Sequence, residues 1–126
     1  MLRLALRGGP GHPMLVTDAM PPVGGCKQEF VLQDQQITLR DGRCTTAQGA
    51  LAGSVLNMAT AVRICVRFLQ LRLEQALAFA STEPANFLGL GHLLGRLASG
   101  YQADIVAFHP EDLEIFATWV AGEKSQ

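Results

Sequence analysis

The stretch Met14-Leu15-Val16-Thr17-Asp18-Ala19-Met20, followed at once by Pro21-Pro22, decides the predicted fold. The run from Met14 to Thr17 predicts a short buried strand that ends at the carboxylate of Asp18. A carboxylate directly after a buried strand is typical of a catalytic group at the mouth of a parallel α/β barrel. Asp18 is therefore the first candidate catalytic residue. The alternative is that it caps the next turn, as Asp often does in loops.

Length sets the first limit on a barrel prediction. The chain has 126 residues, whereas a complete (β/α)8 barrel typically needs about 250. Only a fragment of a barrel can therefore be predicted. Hydrophobic residues make up 48% of the chain and charged residues 17%. That balance suits a chain whose apolar faces are covered by other parts of the same protein or by a partner.

Charge and cysteine content exclude several classes of function. Ten Lys and Arg residues nearly balance eleven Asp and Glu residues, for a net charge of -1, which gives no electrostatic basis for binding nucleic acid or an anionic membrane. The three cysteines form no Cys-x-x-Cys pair, and the three histidines lack the spacing of a metal site. No apolar run approaches the roughly 20 residues of a membrane span. We expect a cytoplasmic protein with reduced thiols and no nucleic-acid or membrane partner.

The middle of the chain predicts a small antiparallel meander at about residues 28–46. Three short strand patterns are separated by turn residues, including the strong hairpin signal Asp41-Gly42. Gly49–Gly53 is predicted to be a flexible loop, and Ser54 to be the N-cap of a helix from about Val55 to Leu69. Bare backbone N–H groups ahead of a helix can hold substrate oxygens. From this pattern alone, however, a plain helix entry is the stronger interpretation.

The second half predicts two shorter helices and two strands. The helices are expected at about Leu73–Ala80 and from Thr82, acting as a cap, to near Gly89. The strands are expected at Asp104–Phe108 and Leu113–Ala121, and Gly122-Glu123-Lys124 is predicted to be a turn. The fold class is α/β. The order of one strand, a meander, three helices and two strands does not make a complete fold by simple layer rules.

Six motifs between Met14 and Gly122 are similar to the C-terminal part of the N-acetylglucosamine-6-phosphate deacetylases, a family of amidohydrolases. The motifs are Leu15-Val16-Thr17-Asp18-Ala19-Met20-Pro21, Leu51-Ala52-Gly53-Ser54, Met58-Ala59-x-Ala61-Val62-Arg63, Ala80-Ser81-x-x-Pro84-Ala85, Gly95-Arg96-Leu97-x-x-Gly100-x-x-Ala103-Asp104-Ile105-Val106 and Thr118-Trp119-Val120-x-Gly122. The glycine-rich closing motif occurs in many amidohydrolases. The strand ending in Asp18, combined with Leu-Ala-Gly-Ser, is much more specific to the deacetylases.

This resemblance implies an architecture. Met14–Thr17 would be the eighth strand of a (β/α)8 barrel, and the meander would be an insertion over its mouth. Val55–Leu69 would be the final barrel helix. Residues 1–103 would thus be the C-terminal part of the barrel, with the meander at about 28–46. Residues 104–126 would supply C-terminal strands of a small β-sandwich domain.

The resemblance also implies an activity. The family removes acetate from N-acetylglucosamine 6-phosphate in amino-sugar catabolism, using a divalent metal, zinc or iron, to activate water. Asp18 matches the catalytic aspartate, a general base that then acts as an acid. Leu51, Ala52 and Gly53 match the loop that contacts the sugar substrate.

The metal ligands of the family lie upstream of this segment, and only 13 residues precede the predicted strand here. One carboxylate cannot hold a catalytic metal at useful affinity. We therefore expect this chain alone to bind no metal, with Asp18 at most a secondary ligand, and to be inactive alone. We expect it to associate with itself or with a complementing N-terminal segment.

Two other interpretations remain. The chain could be a non-catalytic, stand-alone domain that serves oligomerisation or partner binding and derives from an amidohydrolase. It could also be a fragment of another amidohydrolase, such as a dihydroorotase, which Leu51–Ser54 disfavours.

Overall fold

A computed structural model describes Leu6, residues 11–25 and residues 27–125. The described elements are seven strands and three helices. In chain order they are β1 (Glu29–Leu32), β2 (Gln35–Arg40), β3 (Arg43–Thr46), β4 (Leu51–Ser54), α1 (Met58–Arg67), α2 (Leu73–Ala80), α3 (Thr82–Phe87), β5 (Ile105–Phe108), β6 (Ile115–Val120) and β7 (Glu123–Lys124). Cys26, one of the three cysteines, lies outside the described residues. No helix in the described part of the chain is long and apolar enough to cross a membrane.

The first sheet is an antiparallel meander in the order β1-β2-β3-β4. Its first two turns, Gln33-Asp34 and Asp41-Gly42, have positive φ at both central residues. Such a pair is what a two-residue type I′ hairpin requires, because that turn matches the twist of the strands. The predicted meander is present.

The prediction of a flexible loop at Gly49–Gly53 is wrong, because Leu51–Ser54 forms strand β4 against β3. A hairpin aligns the two strands. It is closed by the Thr46 amide, which donates to the Ala50 carbonyl at 2.9 Å. Backbone pairing therefore makes a strand here although Ala and Gly, the residue types at positions 52 and 53, have little strand propensity.

The helix α1 begins at Met58, three residues after its predicted start. The side-chain Oδ1 of Asn57 accepts a hydrogen bond from the Thr60 amide at 2.8 Å, which is the geometry of an N-cap. The predicted cap at Ser54 is therefore wrong. Helix α2 has the predicted bounds, and α3 ends two residues before Gly89. The Thr82 hydroxyl donates to the Gly95 carbonyl at 2.7 Å instead of capping α3.

The second sheet is antiparallel, with strand order β5-β6-β7. Ala121 and Gly122 both have positive φ, and they form the turn between β6 and β7. The predicted turn at residues 122–124 is therefore wrong in part, since Glu123 and Lys124 pair with β6.

The prediction of a strand at Met14–Thr17 is also wrong. These residues belong to no sheet of the described chain, and one isolated parallel bridge, between Ala19 and Ser54, follows them. A strand needs a hydrogen-bonding neighbour along its length, and apolar residues alone do not supply one. The segment does keep defined contacts, since the Leu15 amide donates to the Phe79 carbonyl at 2.9 Å.

The chain divides into two compact units, Val16–Ala61 and the described part of Met1–Leu15 together with Val62–Gln126. The buried hydrophobic residues of the first are Ile37, Cys44 and Ala61, and those of the second are Val62, Cys65, Ala76, Phe79, Ala85 and Leu113. Burial raises the pKa of the Cys65 thiol, because the thiolate would lose its hydration. The predicted domain division at residue 103 stays a prediction.

Candidate active-site segment

The residues that follow Thr17 lie parallel to strand β4. The Ser54 amide donates to the Asp18 carbonyl at 2.9 Å, and the Met20 amide donates to the Ser54 carbonyl at 2.9 Å. These two bonds produce the parallel bridge between Ala19 and Ser54. Asp18 and strand β4, far apart in sequence, are therefore adjacent in space.

Ser54 adds side-chain bonds to this pairing. Its hydroxyl donates to the Thr17 carbonyl at 2.7 Å and accepts from the Leu56 amide at 3.0 Å. Ser54 thus forms hydrogen bonds with Asp18, with residues on either side of it, Thr17 and Met20, and with Leu56, which precedes α1. Sequence reasoning assigned Ser54 only a cap, because it took β4 for a loop.

Asp18 has an unusual backbone conformation. Its φ is +51°, in the left-handed region, which is uncommon for residues other than glycine although Asp and Asn enter it most easily. Gln33, Asp34 and Asp41 also have positive φ, but hairpin turns account for theirs. Asp18 lies in no hairpin, and its side chain is exposed. Such outliers concentrate at functional sites.

The Asp18 carboxylate makes no hydrogen bond or ion pair with another residue in the described ranges. Each of its oxygens is free to accept a proton or to bind a ligand. Chemically, the group can act as a general base toward water, or as a general acid once protonated.

Gly53 is buried beneath Met20. A Cβ atom on Gly53 would lie 2.6 Å from Met20 Cε, 2.7 Å from Met20 Cγ and 2.9 Å from the Asp18 carbonyl oxygen. Only glycine permits so close an approach of the two segments. Of the other predicted substrate residues, Leu51 is 69% exposed and Ala52 is half-buried. Sequence reasoning missed Met20, which no motif singled out as a packing partner.

The described residues do not fit a catalytic metal site. No group of three His, Cys, Asp or Glu side chains among residues 11–25 and 27–125 is placed to hold an ion. Two histidines have other partners: His12 Nδ1 lies 3.0 Å from Glu83 Oε2, and the His109 ring lies 4.8 Å from the ring of Phe116. No catalytic step can be built on a metal held by these residues alone.

The chain matches a protein-family model. The model described as "Amidohydrolase family" matches residues 14–125, which is most of the chain.

Curated relatives align over most of this chain but over a minority of their own length. The N-acetylgalactosamine-6-phosphate deacetylase of Shewanella sp. (strain ANA-3) is 44% identical over 116 residues, covering 91% of this chain and 29% of the relative. The N-acetylglucosamine-6-phosphate deacetylase of Vibrio furnissii is 39% identical over 108 residues, which cover 86% of this chain and 27% of that relative. This chain therefore spans less than a third of either relative.

Solved structures give the same result. The N-acetylglucosamine-6-phosphate deacetylase from Pasteurella multocida superposes with a TM-score of 0.92 at 29% identity, covering 98% of this chain and 32% of that one. A variant of the N-acetyl-D-glucosamine-6-phosphate deacetylase from Mycobacterium smegmatis, in complex with N-acetyl-D-glucosamine-6-phosphate, superposes with a TM-score of 0.81 at 31% identity. The superposition covers 98% of this chain and 33% of that one.

Proposed function

Since the chain belongs to the amidohydrolase family, we propose that it is part of a hydrolase that deacetylates N-acetylglucosamine 6-phosphate. The products are glucosamine 6-phosphate and acetate. In this proposal the chain supplies the proton-transfer residue and part of the substrate-binding surface. It corresponds to the last part of a (β/α)8 barrel and to strands of a small β domain.

One observation carries the proposal. Residues 18–20 pair with strand β4 through two backbone hydrogen bonds of 2.9 Å each. This pairing sets the backbone of Asp18 against that of Gly53 and Ser54, and the side chain of Asp18 is exposed. A proton carrier next to a substrate-contacting segment is the arrangement that amide hydrolysis needs.

The role of Asp18 follows from the balance of the reaction. Water adds its oxygen to the acetyl carbonyl carbon while the Asp18 carboxylate accepts a proton from that water. The carbon–nitrogen bond then breaks, and the same proton passes from the Asp18 carboxyl to the departing amine. An exposed carboxylate with no other partner among the described residues is suited to both transfers.

Activity of this kind also requires a divalent metal, zinc or iron, in the family. Because the described residues do not form a ligand set, we propose that other polypeptide supplies the ligands and that the 126-residue chain alone is inactive. Metal-dependent release of acetate by the purified chain would contradict this part of the proposal.

A second substrate has its own support. The Shewanella relative, 44% identical, is an N-acetylgalactosamine-6-phosphate deacetylase. The two sugar phosphates differ only in the orientation of the 4-hydroxyl group. The acetamide that reacts is the same in both, so the role of Asp18 would not change.

The test replaces the matching segment of the Pasteurella multocida enzyme with this chain and measures acetate release from both sugar phosphates. We expect turnover of N-acetylglucosamine 6-phosphate, and a larger kcat/KM for the galactosamine epimer would assign the second substrate instead. A graft that folds and loads metal but hydrolyses neither sugar would contradict the proposed function.

The competing function is a non-catalytic domain for oligomerisation or partner binding. It is favoured by large apolar side chains that the described structure leaves at the surface, including Val16, Phe87 and Leu97, which are 78%, 77% and 84% exposed. An inactive graft, together with a defined oligomer of the chain in light scattering, would select this function.

A further inference from the structure

We infer that Ser54 is the positioning residue of Asp18. Its hydroxyl and its two backbone polar groups hold the main chain of residues 17–20 in one place on β4. The catalytic consequence rests on the proposed function, but the positioning itself does not.

The hydrogen bonds of Ser54 surround Asp18 on both sides. The hydroxyl donates to the carbonyl of Thr17, the amide donates to the carbonyl of Asp18, and the carbonyl accepts from the amide of Met20. Since a serine hydroxyl has a single proton to donate, its bond to Thr17 at 2.7 Å uses that donor fully. No other described side chain donates to the backbone of residues 17–20.

The conformation of Asp18 explains why such restraint matters. A φ of +51° persists in a non-glycine residue where surrounding contacts determine it. The peptide between Thr17 and Asp18 is fixed by the Ser54 hydroxyl, and rotation of this peptide would change φ of Asp18. The carboxylate has no side-chain tether among the described residues, so the backbone sets its place.

A purely structural role for Ser54 is the competing explanation. The bond from the Leu56 amide to the Ser54 hydroxyl orders the exit of β4, and helix α1 has its own cap in Asn57. The two roles predict different results when the hydroxyl is removed. A structural role lowers the stability of the whole sheet, whereas a positioning role loosens residues 17–20 selectively.

Amide hydrogen exchange of the full 126-residue chain, resolved by residue in a mass spectrometer, separates the two roles. In the wild type we expect protection of the Met20 and Ser54 amides. In Ser54→Ala we expect their exchange to accelerate about fivefold to tenfold, as for the loss of one net hydrogen bond. Amides of β2 and β3 should keep their rates, and Ser54→Thr should keep protection.

Ser81→Ala is the matched control, because the Ser81 hydroxyl also donates to a backbone carbonyl, that of Leu77, at 2.8 Å. It should leave Met20 and Ser54 protected. Unprotected Met20 and Ser54 amides in the wild type would overturn the inference even if Ser54→Ala does not fold. Equal acceleration throughout the meander in Ser54→Ala would overturn it as well.

Kinetics of the Pasteurella graft test the catalytic consequence. Ser54→Ala should lower kcat by roughly tenfold to a hundredfold with little change in KM, because a displacement of about 1 Å has that effect on a reacting group. Ser54→Thr should restore most of kcat. A graft without activity would count against the proposed function, while the exchange rates would still decide the positioning. An unchanged kcat in Ser54→Ala would overturn the catalytic consequence.

Discussion

The missing side chain of Gly53 allows two parts of the candidate site to meet. Met20 covers the Cα atom of Gly53, and the Asp18 carbonyl approaches it from the same side. A glycine in a segment predicted to contact substrate, as Leu51–Gly53 is, is commonly explained by access of the ligand to the backbone. Here the close packing of Met20 and the Asp18 carbonyl against Gly53 is sufficient to require glycine at this position.

Substitution of Gly53 by Ala should therefore destabilise the chain. The added methyl group would lie 2.6 Å from Met20 Cε, and overpacking of this kind costs about 1–3 kcal/mol. Chemical denaturation of wild type and variant measures the free energy of unfolding.

Two variants control for other causes. Gly49→Ala meets no atom within 4 Å, although its φ is +83°, and it should show the backbone cost of about 1 kcal/mol alone. Met20→Ala in the Gly53→Ala background should recover part of the loss, because it removes the flexible contact. A Gly53→Ala variant as stable as the wild type would exclude the packing explanation.

At the scale of elements, Arg63 joins helix α1 to the loop between β5 and β6. Its Nε donates to the Asp112 carbonyl at 2.8 Å, and its terminal nitrogen donates to the Leu113 carbonyl at 2.8 Å. Leu113 is 8% exposed and has a φ of +59°. The loop thus keeps a bulky residue in a left-handed conformation inside the core, which requires such restraint.

Arg63→Met should lower the free energy of unfolding by about 2 kcal/mol, because it retains the aliphatic stem but leaves two backbone carbonyls without their charged donor. Thermal or urea unfolding measures the loss. Arg67→Met, on the same helix, is the control, since the Arg67 side chain makes no hydrogen bond or ion pair with another described residue. An equal loss of unfolding free energy in the two variants would show that the hydrogen bonds of Arg63 do not stabilise the chain.

The elements differ in how far sequence could predict them. Helix α2 and the hairpins of the meander follow local rules of periodicity and turn chemistry, and their predictions are confirmed. Strand β4 was missed because Ala52 and Gly53 give it no hydrophobic alternation. The strand predicted at Met14–Thr17 failed for the opposite reason, since its apolar residues have no paired neighbour in the described chain. Pairing is a non-local property that neither segment encodes.

The same contrast holds for the candidate site. Asp18 and Leu51–Gly53 were selected by position after a strand and by family resemblance, and the structure places the two segments side by side. The contributions of Ser54 and Met20 could not be predicted, because they depend on which segments become neighbours. The catalytic and substrate-binding roles themselves stay predictions.

At the scale of the whole molecule, the resemblance to the N-acetylglucosamine-6-phosphate deacetylases is confirmed by the named relatives and structures. The described surface retains many large apolar side chains. Those that are at least two-thirds exposed include Val16, Leu51, Phe68, Phe87, Leu88 and Leu97. Uncovered apolar area of this kind favours association in water.

We therefore expect the isolated chain not to be a monodisperse monomer. Light scattering coupled to size-exclusion chromatography should show oligomers or aggregates whose mass rises with concentration. Leu97→Glu, at a side chain that is 84% exposed, should shift the distribution toward smaller species without loss of fold. A monodisperse wild-type monomer that unfolds cooperatively would contradict this expectation.

The measurement that tests the account most directly is acetate release by the Pasteurella graft with Asp18→Asn. Asn tolerates the φ of +51° as Asp does but cannot carry the proton, so kcat should fall by about 10²- to 10⁴-fold with KM nearly unchanged. Asp34→Asn, at an exposed hairpin turn with a φ of +62°, should retain full activity. An Asp18→Asn graft that releases acetate at the unchanged rate would contradict the assignment of Asp18 as the proton carrier.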